Sequence, residues 1–250
     1  MKKHAIFSNL TTTGIIALFI CIFSNKLQAQ KEIPILAWYS IPAKEATLER
    51  YQELKDAGFT ITFSELTHFE DAKKALDLAA QVGIKSIFAC KELKTEPEKT
   101  VQKIKDHPGL AGYFLRDEPG CADFPELAAW AKRIMKTDDN HFCYMNLFPN
   151  YAPEDILGDN YRRHVQRFIE EVGIQLISFD HYPIVKNTLR PEWDENLEII
   201  SDESQKAGKP FWAVALATAH DDYPIPDMAQ LKLQMYSNLA YGAQGLQYFT

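Results

Sequence analysis

Short apolar runs alternate with amphipathic stretches along most of the chain, and many of the changeovers carry a glycine. The runs lie at 35–41, 59–66, 84–90, 110–115, 141–148, 174–182, 210–218 and 245–250. They are rich in Ile, Val, Phe and Tyr, as strands buried on both faces of a parallel sheet should be. Between them apolar residues recur at helical spacing. Leu48, Tyr51 and Leu54 share one face, as do Ala72, Leu76, Ala79 and Val82, then Leu127, Trp130, Ala131 and Ile134, and finally Val165, Phe168, Ile169 and Val172. Thr67 with Glu70 and Thr95 with Glu98 read as capping boxes, and Asp123 with Glu126 and Asp227 with Gln230 as close variants. Gly58, Gly83, Gly109, Gly173 and Gly208 each stand where a helix would end in a left-handed residue before the next strand. Eight strands alternating with seven helices predict a (β/α)8 TIM barrel. The competing arrangement, an open doubly wound sheet, would carry a glycine-rich dinucleotide fingerprint or a Walker loop, and neither is present. The last run stops at Thr250, so the barrel reads as truncated within its eighth strand. Such a chain is expected to expose apolar surface beside strands 8 and 1, and to be poorly soluble or to recruit a partner.

Residues 1–29 break the pattern and read as a signal peptide. Lys2 and Lys3 precede an apolar run from Gly14 to Phe23, too short to span a bilayer comfortably, and Leu27-Gln28-Ala29 offers a cleavage site before Gln30. Ile20 before Cys21 is too bulky for a lipoprotein anchor. Residues 30–250 then form one barrel domain of 221 residues, exported to the periplasm or secreted. Without Lys2, Lys3 and Lys26, the 27 basic residues fall to 24 against 34 acids, a net charge of −10. That balance disfavours nucleic acid and anionic membrane surfaces and suits a neutral partner such as a sugar. No Cys/His spacing suggests zinc, and no metal or organic cofactor is implied.

In a barrel of this kind the chemistry belongs at the C-terminal strand ends. Those ends carry Tyr39, Glu65, Asp117-Glu118, Asn146, Asp180-His181-Tyr182, His220 and Tyr248. Carboxylates, an amide and aromatic rings are what sugar chemistry uses: rings stack on pyranoses, amides and carboxylates hold hydroxyls, and a carboxylic acid protonates the leaving oxygen. No Ser-His-Asp order or nucleophile elbow supports acyl transfer.

The segment Gly112-Tyr113-Phe114-Leu115-Arg116-Asp117-Glu118-Pro119 resembles the fourth-strand motif of clan A glycoside hydrolases, and the stretch from Asn238 to Phe249 is similar to the matching segment of family 42 β-galactosidases and their relatives. The resemblance implies Glu118 as general acid/base, with Asp117 in the place of a substrate-binding Asn. A neighbouring acid there would help Glu118 keep its proton. The clan also places a nucleophilic Glu at the end of strand 7, where this chain, from Phe211 to His220, has no carboxylate. Asp180 is the replacement candidate. Two strands from Glu118, it would approach the roughly 6.5–9.5 Å of inverting pairs rather than the roughly 5–5.5 Å of retaining ones.

Simpler readings compete. Glu118 and Pro119 suit the first turn of a helix; Asp180 could pair with Arg116 or cap a loop. Glu65 reads as a rim hydrogen-bonder, His181 and His220 as polar wall, and Tyr39, Tyr182 and Tyr248 as core or sugar platforms. Trp130 and Trp193 read as helix packing. Cys90 and Cys121 fall on neighbouring loops and could form a disulfide, leaving Cys143 buried and free. Three functions follow: an exported glycoside hydrolase acting on a neutral oligosaccharide or polysaccharide, a non-catalytic carbohydrate-binding barrel, or an inactive fragment of a longer hydrolase.

Overall fold

A computed structural model describes residues 32–186 and 188–249; the expected signal peptide lies outside the described residues. Each apolar run forms a strand: β1 (Ile35–Trp38), β2 (Ile61–Thr62), β3 (Lys85–Phe88), β4 (Leu110–Asp117), β5 (Phe142–Asn146), β6 (Ile177–Phe179), β7 (Phe211–Leu216) and β8 (Gly245–Phe249). Hydrogen bonding orders them β5-β4-β3-β2-β1-β8-β7-β6, all neighbours parallel. A single bridge from Leu147 to Phe179, with Leu147 N–H donating to Ser178 O at 2.8 Å, brings β5 against β6 and rounds the sheet into a barrel. Helices α1 (Leu48–Asp56), α2 (Phe69–Val82), α3 (Pro97–Ile104), α4 (Phe124–Thr137), α5 (Tyr161–Arg167), α6 (Trp193–Ala207) and α7 (Met228–Ala240) make the connections. This is the (β/α)8 TIM barrel that the alternation predicts.

The core has two shells, set by the two-residue period of the strands. Outward-facing residues such as Leu110, Cys143 and Ile177 pack under the helices with Leu76, Ile134 and Leu197. Inward-facing residues fill the barrel. Trp38, Phe63, Phe114 and Tyr144 stack there, with Trp38–Phe63 and Phe63–Phe114 ring centroids 4.6 and 4.5 Å apart. Such aromatic contacts fix the positions of the strand ends that carry the rim.

The cap signals were uneven guides. Asp227 and Gln230 form a reciprocal capping box at α7. Thr67 does not cap α2, which starts after His68 with no side-chain cap; Thr95 bonds back to Lys91 O, and Asp123 accepts instead from Gly120 N at 3.1 Å. Four of the five stop glycines have positive φ. Gly109 does not, and is required for a different reason: a Cβ there would collide with the Leu76 carbonyl.

The disulfide expectation is corrected. Cys90, Cys121 and Cys143 are all free thiols. Cys90 faces a groove at the end of β3, whereas Cys121 turns toward Gly158 and Arg167, so the two point away from a shared bond. Burial pushes Cys90 up to about 11 and the fully enclosed Cys143 to about 12. Thiol titration of the unreduced, unfolded protein is expected to find all three reactive; finding one would restore the bridge. In the folded protein at pH 8, Cys90 and Cys143 stay protonated and should be slow to react.

Candidate active site

Two backbone kinks build the rim. Along an ordinary strand Asp117 and Glu118 would face opposite ways. Glu118 instead adopts a left-handed conformation with φ 45°, its N–H donating to Asn146 O at 2.8 Å, after the β4–β5 register shifts between Phe114 and Arg116. Both carboxylates thereby line one cavity. The same device acts at β1, where Tyr39 has φ 52° and joins Trp38 on the cavity wall. Non-glycine residues held in this region carry strain, which fits a constrained site.

The cavity has a volume of about 520 Å³. Its floor carries Asp117, Glu118, Asn146 and Asp180; its walls include Tyr182, Val214, His220, Tyr223 and Phe249. A second hollow of about 760 Å³, sharing Tyr39 and Asp117, runs past Glu65 and Arg116 to Trp130. Trp130 is therefore more than helix packing: its indole N–H is tied to Leu93 O at 2.8 Å and its side chain borders this hollow. Tyr39 OH donates to Glu65 at 3.1 Å between the two spaces.

A buried polar chain rises from the barrel interior to this floor. Gln247 Nε2 donates to Ser178 Oγ at 2.8 Å, and Tyr144 OH donates to Gln247 Oε1 at 2.5 Å. Ser178 Oγ donates to Asn146 Oδ1 at 2.8 Å, which leaves Asn146 Nδ2 to donate to Asp180 Oδ1 at 2.8 Å. The Asn146 amide thus has one orientation, with its N–H groups toward the carboxylates.

Those carboxylates hold protons unusually well. Burial first, then the charges of Asp180 and Asp117, push Glu118 up to about 8. Burial and Asp180 raise Asp117 to about 7. Asp180, 8% exposed, is raised to about 6 by burial, against the hydrogen bonds from Tyr182 and Asn146. The three share protons as a set, so the solution titrations belong to the cluster. A carboxyl raised on folding favours the folded state when protonated, and that contribution is lost as pH rises through the folded value. Asp117→Asn is therefore expected to raise the melting temperature by several degrees at pH 9 and to leave it nearly unchanged at pH 4, measured by calorimetry. Equal shifts at both pH values would argue against a strained carboxylate.

Two sequence candidates lie elsewhere. Tyr248 is on the outer face of β8, donating to Met235 Sδ at 2.9 Å with its ring against Phe59; strand alternation gives its expected place on the wall to Phe249. His181 is 1% exposed beside Tyr151, outside the cavity lining, and burial followed by Arg190 drives it down to about 3. Glu65 borders the larger hollow only. Asp180 does not pair with Arg116, whose acidic neighbour is Asp123 at 4.0 Å. Sequence reasoning missed Tyr151, Tyr223 and Phe249, and passed over Trp38 and Asp221, which stand at the strand ends it singled out. Tyr151 and Tyr223 join the site through Arg190, whose guanidinium sits 4.1 Å from the Tyr151 ring centre and donates to Tyr223 OH at 3.0 Å. Among the described residues no group of three or more His, Cys, Asp or Glu is arranged to hold a metal ion, and no helix is long and apolar enough to cross a membrane.

No protein-family model matches the chain, and no curated protein matches it significantly. Solved structures do. A protein of Bacteroides thetaiotaomicron given as a candidate alpha-L-fucosidase aligns with TM-score 0.62 at 11% identity, over 89% of this chain and 91% of its own. A beta-1,4-mannanase of the sea hare Aplysia kurodai gives 0.60 at 14%, over 89% of each chain. An HpcH/HpaI aldolase of Desulfitobacterium hafniense gives 0.58 at 12%, over 87% and 86%. Glycosidases and an aldolase align about equally well, so the likeness carries the barrel and leaves the chemistry to the site.

Proposed function

We propose that the chain is an exported glycoside hydrolase acting on O-glycosidic bonds of a neutral oligosaccharide or polysaccharide, with Glu118 as general acid/base. The observation that carries this reading is a carboxyl group kept protonated to about 8 in a rim cavity with aromatic walls. Protonated at neutral pH, Glu118 can give its proton to a departing glycosidic oxygen, and once ionised can take one from water. Asp180 supplies negative charge beneath the ring, where an oxocarbenium-like centre develops. Asn146, Asp117 and Tyr39 offer partners to hydroxyls, and the second hollow offers room for further sugar units. The motif's resemblance to clan A and to family 42 agrees with this assignment, and residues 1–29 support export.

A non-catalytic carbohydrate-binding barrel is the second reading, favoured by the end of β7, where Val214 and Leu216 stand and no carboxylate does. A screen of 4-nitrophenyl glycosides across common sugars and both anomers separates the two. Turnover abolished by Glu118→Gln is expected. Calorimetric binding of oligosaccharides without turnover would select the binding barrel.

A further inference from the structure

Glu118 accounts for the departing oxygen and leaves the attack on the anomeric carbon without an owner. β7 brings Val214 to the cavity and no acid. Asp221, on the following loop, reaches only the lip: its side chain is 82% exposed and sits 3.4 Å from His220. Asp180 lines the floor, 8% exposed, but its carboxylate is already held by Asn146 and Tyr182 and serves as fixed negative charge beneath the ring rather than as the attacking group. Asp117 remains, but consecutive residues at one strand end approach a bound ring from one side, so Asp117 and Glu118 cannot flank the anomeric carbon as a displacement pair must. The aromatic wall that can stack on a sugar face also leaves an apolar recess that fits a methyl group. Tyr182 meets Tyr223 and Phe249 edge-on, at centroid distances of 5.3 and 5.9 Å, with Trp38 and Val214 also on the lining.

Resting on the hydrolase reading above, we propose that the substrate is a 2-acetamido-2-deoxy sugar, whose own amide carbonyl attacks the anomeric carbon while Asp117 accepts its N–H and the aromatic recess holds its methyl group. In the first step the bond from the anomeric carbon to the leaving oxygen breaks, Glu118 gives that oxygen its proton, and the amide oxygen bonds to the anomeric carbon, forming a bicyclic oxazolinium ion. In the second, water adds to the anomeric carbon, the Glu118 carboxylate takes its proton, and the carbon–amide oxygen bond breaks to restore the acetamido group. The sum is hydrolysis with retention, needing one proton shuttle and no protein nucleophile.

The test compares 4-methylumbelliferyl 2-acetamido-2-deoxy-β-D-glucoside and -galactoside with the corresponding 2-hydroxy glycosides. The acetamido pair is expected to react at least roughly 100-fold faster. Stepwise fluorination of the acetyl group, which weakens the carbonyl as a nucleophile, should lower kcat by more than roughly 100-fold from acetyl to trifluoroacetyl. Equal or faster hydrolysis of the 2-hydroxy glycosides, or a flat fluorination series, overturns this inference and leaves the hydrolase standing. No turnover of the acetamido pair overturns this inference, and no turnover across the wider glycoside screen as well overturns the hydrolase reading with it.

Discussion

Glu118→Gln is expected to lower kcat/KM toward a glycoside with a poor leaving group by roughly 10²–10⁴-fold. The amide preserves size and most of the local geometry, including the φ of 45° and the N–H bond to Asn146, but carries no transferable acidic proton. The loss should be much smaller for a dinitrophenyl glycoside, whose departing oxygen scarcely needs protonation. That contrast separates a missing acid from a distorted site, which would depress all substrates alike. Equal losses across leaving groups would remove Glu118 from its role.

The second large effect belongs to a residue far from solvent. Gln247→Leu is expected to destabilise the fold by about 2–4 kcal/mol, because Tyr144 OH and Ser178 Oγ each lose one hydrogen bond in a dry interior and keep only the 2.7 Å bond to each other and the bond onward to Asn146. For a domain of this size that corresponds to a melting temperature lower by roughly 5–15 °C. The variant that remains folded should also turn over more slowly, since Tyr144 and Ser178 must re-pair without Gln247, which loosens the Ser178 bond that orients the Asn146 amide toward Asp180. A fully active Gln247→Leu of parental stability would show the chain to be incidental.

The barrel was legible because its signal recurs along the chain: apolar runs, helical stripes and glycine stops agree with one another, so a misread cap such as Thr95 costs nothing. The site was legible only in part. Asp117, Glu118, Asn146 and Asp180 could be placed at strand ends from sequence. Phe249 was mistaken for Tyr248 because the register of a short strand decides which of two neighbours faces in, and the run alone does not set it. Trp38 stood beside Tyr39 in plain view, yet alternation argues that only one of two neighbours can face the cavity; the left-handed turn at Tyr39, a conformation rare outside glycine, is what admits both. Tyr151 and Tyr223 come from loops and meet through their hydroxyls at 3.2 Å, with Arg190, which follows the short hairpin Ile184–Val185 with Thr188–Leu189 that no pattern announced, packed against both. The Cys90–Cys121 pairing failed for a related reason: loops can be neighbours while their side chains diverge.

The central claim is that Glu118 is a protonated acid at neutral pH. Carbon-13 labelling of glutamate side chains, with Glu118→Gln used to assign the signal, would follow that carboxyl directly through a pH titration. A midpoint raised to about 8, with smaller steps near 6 and 7 as the cluster exchanges protons, is the predicted result. Activity should then fall on the alkaline side as Glu118 ionises and on the acid side as Asp180 gains a proton. A midpoint in the ordinary carboxylate range would mean that Glu118 is charged under working conditions, and would contradict the account at its root.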